Sequence, residues 1–189
     1  MARKKVNTKE ALIKAAENGD APAQNNLAIA YYEGDGVDQD IEKAAFWMQK
    51  AAEQGYPESL INIGVFYYSG IGVDQDFKKA VVWWRKAAEL GIADGQNRLG
   101  MCYYEGEGVR RNYKEAAKWF DKAAEQGNAW AFNNLGKCYM EGKGVAQDRE
   151  RAVHLFLLAL TNGIDEAAWH LMTMGVDEDE IRRRLMSMN

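Results

Sequence analysis

The chain has 189 residues, yet only two prolines, two cysteines, two histidines and three serines. Each scarcity removes a class of chemistry. None of Ser59, Ser69 and Ser187 begins a Ser-x-x-Lys, so the serine β-lactamase nucleophile motif is absent. His154 and His170 have no His-Glu-x-x-His or Cys-x-x-Cys set around them, so no zinc site is expected. No apolar run approaches the ~20 residues that span a bilayer. A basic excess is missing too: the formal net charge is −4, which argues against nucleic-acid and membrane-surface partners. The first ten residues carry basic groups but no apolar stretch behind them. That is not a secretory signal, and a cytoplasmic location is the expectation. What the chain has in excess is glycine, 18 residues of it, in a composition that is otherwise globular at 47% hydrophobic and 28% charged.

The glycines are periodic. Gly19, Gly55, Gly91, Gly127 and Gly163 recur every 36 residues. So do Gly34, Gly70, Gly106 and Gly142, and again Gly36, Gly72, Gly108 and Gly144. Ala28, Gly64, Gly100 and Gly136 form a fourth column. Apolar columns keep the same register: Leu27, Ile63, Leu99, Leu135 and Leu171; Tyr31, Tyr67, Tyr103 and Tyr139; Trp47, Trp83, Trp119 and Leu155. Such self-similarity marks a repeat architecture, whose units stack because none can bury its apolar face alone. Cys102 and Cys138 are one period apart. Equivalent points on neighbouring helix layers lie ~8–10 Å apart, beyond the ~7 Å reach of a disulfide, so both are read as reduced thiols.

Each period encodes two helices. The first runs from about Pro22 to Glu33 and stops at Gly34, suited to the left-handed residue after a helix end. A glycine loop follows. Asp40, Asp76, Asn112 and Asp148 stand where an N-cap is needed. The second helix carries Ala44, Trp47, Met48, Ala51 and Ala52 at helical spacing, and the tryptophan column reads as core. Gly70-Ile71-Gly72-Val73 and its copies lack a following Gly-Lys-Ser/Thr, so they end helices rather than cradle phosphate. The domain plan is one solenoid: a capping helix over 8–19, repeats 20–55, 56–91, 92–127 and 128–163, a partial repeat 164–175 and a final helix over 177–188. That last helix has Ile181, Leu185 and Met188 as its stripe, and three i, i+4 pairs: Glu178–Arg182, Asp179–Arg183 and Glu180–Arg184. It reads as a cap over the last repeat, with a dimer contact as the alternative.

Leu99-Gly100, Tyr103, Gly106-x-Gly108-Val109, Asn112, Ala116, Trp119, Lys122-Ala123-Ala124 and Gly127 together resemble one Sel-one-like repeat. The pattern covers about residues 8–175 and departs from itself at Ala28, Met140, Leu155 and Met172. The resemblance implies an all-α, right-handed superhelical solenoid of helix-turn-helix units, similar to tetratricopeptide proteins. It implies a non-enzymatic scaffold or adaptor for protein–protein interaction, without cofactors. Relatives act in signalling and in host–bacterium contacts, so a secreted effector or a toxin-immunity binding protein is the alternative. Some cysteine-rich relatives carry a β-lactamase label, but this chain lacks their pairing of cysteines within each repeat.

By the same analogy the first helix of each pair lines a concave groove that holds a peptide or protein segment. The residues of that helix outside the core columns are Asn25, Ile29 and Tyr32 in the first repeat. Val65 and Tyr68, Asn97, Met101 and Tyr104, and Asn133 and Lys137 are their copies. Asn26, Asn62, Arg98 and Asn134 sit beside them. Amides can hold an extended backbone, and tyrosine adds contact area with a polar tip. The alternative for the asparagines is bonding between repeats, and for the tyrosines, shielding of the seam. Trp130, Lys137 and Trp169 break their columns, which makes them binding candidates. The alternative for Trp169 is cover by the final helix.

Overall fold

The computed structural model describes the backbone of residues 2–188 and the side chains of residues 9–187. The leading basic residues and the Met188 side chain lie outside the described side chains. Eleven helices follow one another among the described residues: α1 (Ala2–Glu17), α2 (Ala21–Glu33), α3 (Ile41–Glu53), α4 (Pro57–Ser69), α5 (Phe77–Glu89), α6 (Ala93–Glu105), α7 (Tyr113–Glu125), α8 (Ala129–Glu141), α9 (Arg149–Thr161), α10 (Glu166–Thr173) and α11 (Glu178–Met188). They fall into two compact units, Met1–Leu90 with α1–α5 and Gly91–Asn189 with α6–α11. In the first, α1, α2, α3, α4 and α5 pack in sequential pairs. In the second, α6 to α9 do the same, and α10 and α11 both rest on α9.

The periodic residues form the joints. Gly34, Gly70, Gly106 and Gly142 have φ of 76°, 70°, 82° and 68°, and each returns its N–H to a carbonyl one turn back. A side chain there would strain a left-handed backbone, so the helix ends at the glycine. The following helices start on Asp40, Asp76, Asn112 and Asp148, whose side chains accept from backbone N–H groups of the first turn. Cys102 and Cys138 are buried free thiols. No described helix is long and apolar enough to cross a membrane.

The tryptophan column is not the deepest layer. Trp47, Trp83 and Trp119 are half-buried, as is Leu155. The core belongs to the next residue along, Met48, Trp84, Phe120 and Phe156, each 3% exposed or less. Successive residues on a helix point ~100° apart, and both columns are apolar, so composition alone leaves the inward one open. The small column admits these side chains: Gly64 faces Trp84, Gly100 faces Phe120, and Gly136 faces Phe156. In the first repeat the corresponding pair is Ala28 with Met48, both buried.

At the C-terminal end, Ile181 and Leu185 of α11 pack on a cluster that includes Phe156, Leu171 and Val176. Of its three expected ion pairs, Glu180–Arg184 forms at 2.8 Å, and Arg184 also reaches Glu150 on α9 at 2.8 Å. Asp179 pairs instead with Arg182 at 3.5 Å, while Arg183 donates to the Asp179 carbonyl.

Candidate functional site

The first helix of each pair leaves one face open. In the first unit that face carries Asn26, Ile29 and Tyr32 in solvent, with Asn62, Val65 and Tyr68 half-buried. Tyr32 lies 5.7 Å from the Phe66 ring, and Tyr68 lies 5.0 Å from Phe77 and 5.5 Å from Trp84. These tyrosines thus cover core aromatics with one edge and present the other. Asn25 does not reach the open face. It is 4% exposed, and its Oδ1 accepts from Ser59 Oγ at 2.8 Å in the next layer.

The second unit repeats this division. Asn97 is buried and accepts from Asn134 Nδ2 at 2.9 Å. Asn133 is buried as well, and its Oδ1 has no partner among the described residues. Asn25, Asn97 and Asn133 are therefore interior side chains, and a ligand on the open face does not meet them. For Asn25 and Asn97 the physical reason is the column's place at the seam, where the amide of one layer meets a donor of the next. Arg98 and Asn134 are half-buried beside it.

What remains open in the second unit is large and apolar. Met101 is 44% exposed, Trp130 53% and Trp169 61%. Trp169 is thus left largely uncovered and meets the His170 ring edge-on at 4.9 Å. Met101, Tyr104, Phe120, Asn134 and Lys137 line a small pocket of about 40 Å³. Lys137 lies 5.7 Å from the centroid of the Tyr104 ring and has no ion-pair partner among the described residues.

Tyr104 is held by a network that sequence reasoning missed. Its hydroxyl donates to Glu141 Oε2 at 2.7 Å and accepts from Lys143 Nζ at 3.2 Å. Lys143 closes the triangle on Glu141 at 2.6 Å, and its ammonium also lies 5.2 Å from the Tyr113 ring. Burial, and then the bond to Glu141, pushes the Tyr104 hydroxyl well above the usual tyrosine range. Burial alone would raise Glu141, but the bonds from Lys143 and Tyr104 prevail and hold its carboxyl below the usual range. The signal that could have found the network is Lys143 itself, which stands where the other repeats have Asp35, Ile71 and Glu107. No group of three or more His, Cys, Asp or Glu among the described residues could hold a metal ion.

Paired helices in 36-residue register, with glycine joints and an open face on the first helix of each pair, define an all-α repeat solenoid. The Sel1 repeat model matches residues 21–56, 57–92, 93–128 and 133–164. The chain belongs to the Sel1 repeat family, whose members serve as protein-interaction scaffolds. No curated protein matches it in sequence. Among solved structures it is similar to c5321, a protective antigen of uropathogenic Escherichia coli with an SLR fold. The identity is 38%, over 95% of this chain and 40% of that one, with a TM-score of 0.84. This chain therefore spans less than half of the antigen's length. A Sel1 repeat protein of Oxalobacter formigenes is 30% identical, over 94% of this chain and 73% of that one, with a TM-score of 0.82. Immunity protein PA5088 of Pseudomonas aeruginosa is 27% identical, over 85% of this chain and 58% of that one, with a TM-score of 0.55.

Proposed function

We propose that this protein is a non-catalytic scaffold that binds a peptide or protein segment on the open face of the first helix of each pair. The observation that carries the reading is the exposure of Trp130 and Trp169 in the second unit, with Met101 and the unpaired Lys137 on the same set of helices. Leaving two indoles in water forgoes burial free energy that the fold could otherwise take, and tryptophan is enriched among side chains that dominate binding. The exposed and half-buried residues of each unit divide the work. In the second unit Trp130, Trp169 and Met101 supply contact area, Lys137 supplies a cation with no ion-pair partner among the described residues, and Asn134 supplies an amide; in the first unit Asn26 and Asn62 supply amides. Tyr104 adds to the apolar part of the second unit's face, where Arg98 stands beside Met101, and Ile29, Tyr32, Val65 and Tyr68 form the apolar part of the first unit's own open face. The similarity to an immunity protein favours one form of this reading, in which the segment belongs to a toxin.

The test compares wild type with Trp130→Ala/Lys137→Ala in affinity capture, quantified by mass spectrometry. Specific partners of the wild type should be depleted about tenfold or more, the scale of losing a hot-spot side chain. Equal recovery by a folded double variant would show that this face is not the site.

A further inference from the structure

The second helices carry a different repeated feature on their own side. In the first repeat Trp47 packs beside Tyr31 on the Leu27 cluster. In the second and third, Trp83 and Trp119 each have a lysine ammonium over the indole, Lys86 at 4.3 Å and Lys122 at 4.4 Å. The fourth repeat has neither partner of that pair: Leu155 stands in the tryptophan column and Leu158 in the lysine column. Leu155 still packs beside Tyr139 on the cluster of Leu135. An open cleft of about 540 Å³ lies there, with Leu135, Tyr139 and Leu155 as its apolar lining and Asp121, Arg151 and His154 at its rim.

The rim is not electrically closed. Arg151 is engaged, with Asp148 at 3.6 Å and the Tyr139 hydroxyl at 3.0 Å. Glu150, also on the lining, is held by Arg184 at 2.8 Å. Asp121 is exposed and has no ion-pair partner among the described residues. It replaces Gln49 and Arg85 of the earlier repeats, so this carboxylate is peculiar to the repeat pair that forms the cleft.

We propose that this cleft is a second binding site, on the side of α7 and α9, that takes a tryptophan side chain of a partner protein with a basic residue beside it. The other repeats show what the equivalent grooves hold: Trp47 against the Leu27 cluster in the first, and an indole with an ammonium over it in the second and third. The partner's indole covers Leu135 and Leu155, and its ammonium or guanidinium meets Asp121. The apolar floor drives the contact, and the unpaired carboxylate selects the charge.

The probe is the peptide acetyl-Trp-Ala-Ala-Lys-amide, read by methyl NMR of the intact protein. The expected result is saturable shifts of the Leu135 and Leu155 methyls. The peptide with alanine in place of tryptophan should give none. Asp121→Asn should weaken the Trp peptide about two- to fivefold, as for an exposed ion pair. Leu155→Trp, which restores the residue of the other three repeats, should fold and abolish binding. Trp130→Ala/Lys137→Ala should leave binding unchanged, which separates this site from the one on the first helices. Absence of saturable shifts, equal shifts from the alanine peptide, or full binding by a folded Leu155→Trp protein would each overturn the proposal.

Discussion

A methyl group at position 100 would have nowhere to go. A Cβ there would meet Phe120 Cδ1 and Cε1 at 2.6 Å and the Ala116 carbonyl at 3.3 Å. Helix propensity alone favours Gly→Ala by ~1 kcal/mol, but overpacking a close-packed core costs ~1–3 kcal/mol. We expect Gly100→Ala to lower stability on balance. The first repeat supplies the remedy, since Ala28 lives with the unbranched Met48. Phe120→Met should therefore cost less in the Gly100→Ala background than alone, and denaturant midpoints of the four proteins give the coupling. A coupling energy of zero would mean that the two columns are not matched. The same packing makes the cysteines inert: burial pushes the Cys102 and Cys138 thiols up to about 12.

Residue-scale burial is also where sequence and structure part. Glycine spacing located the ends of α1 to α9 because a positive φ has few other occupants. It could not rank Trp83 against Trp84, since the ~100° between them matters only once the neighbouring helices are placed. It could not send Asn97 inward either, because that depends on Asn134 arriving from the next layer at 2.9 Å. Of the candidate face, the column-breaking residues Trp130, Lys137 and Trp169 proved open or half-open, while the buried asparagines were hidden by their polarity.

Among the elements, α10 is the unusual one. It spans 8 residues where the other first helices span 13, and it buries a histidine. His170 stacks on Phe156 at 4.7 Å and meets Glu166 of its own helix at 3.3 Å, while its Nδ1 has no partner among the described residues. Lys137 and Glu141 of α8 are the charges that act on it from a neighbouring element. Burial, the largest influence, pushes its pKa below the usual 6.5, although Glu166 opposes this. The native state therefore prefers the neutral ring, and the unfolded chain takes up the proton first. Stability is intact above about 6.5 and is lost as the pH falls through that value toward the lower folded pKa. Asparagine stands at the equivalent position 134, so His170→Asn should remove this part of the acid sensitivity. Thermal midpoints at about pH 7.5 and pH 5 would read it out, and an identical drop in both proteins would refute the assignment.

On the scale of the whole molecule, each compact unit is a stack held by nearest neighbours, so its ends need cover. In the second unit α11 provides that cover through Ile181 and Leu185, which pack on the final cluster, and through Arg184. Both apolar side chains are half-buried, and Ile181→Ala/Leu185→Ala should cost about 2–4 kcal/mol, below the full-burial range for two such residues. Chemical denaturation would show it as a lower midpoint, and an unshifted curve would remove the covering role from α11.

The glycine joints have a consequence for how such a protein changes its length. Gly55, Gly91 and Gly127 share one left-handed φ, at 82°, 81° and 81°. The chain can be cut at one and rejoined at another, and a cassette of one period gained or lost there leaves every remaining side chain in its own column. Recombination at these joints would change the number of repeats in whole steps, while point changes at the column-breaking positions would alter single repeats without disturbing the register.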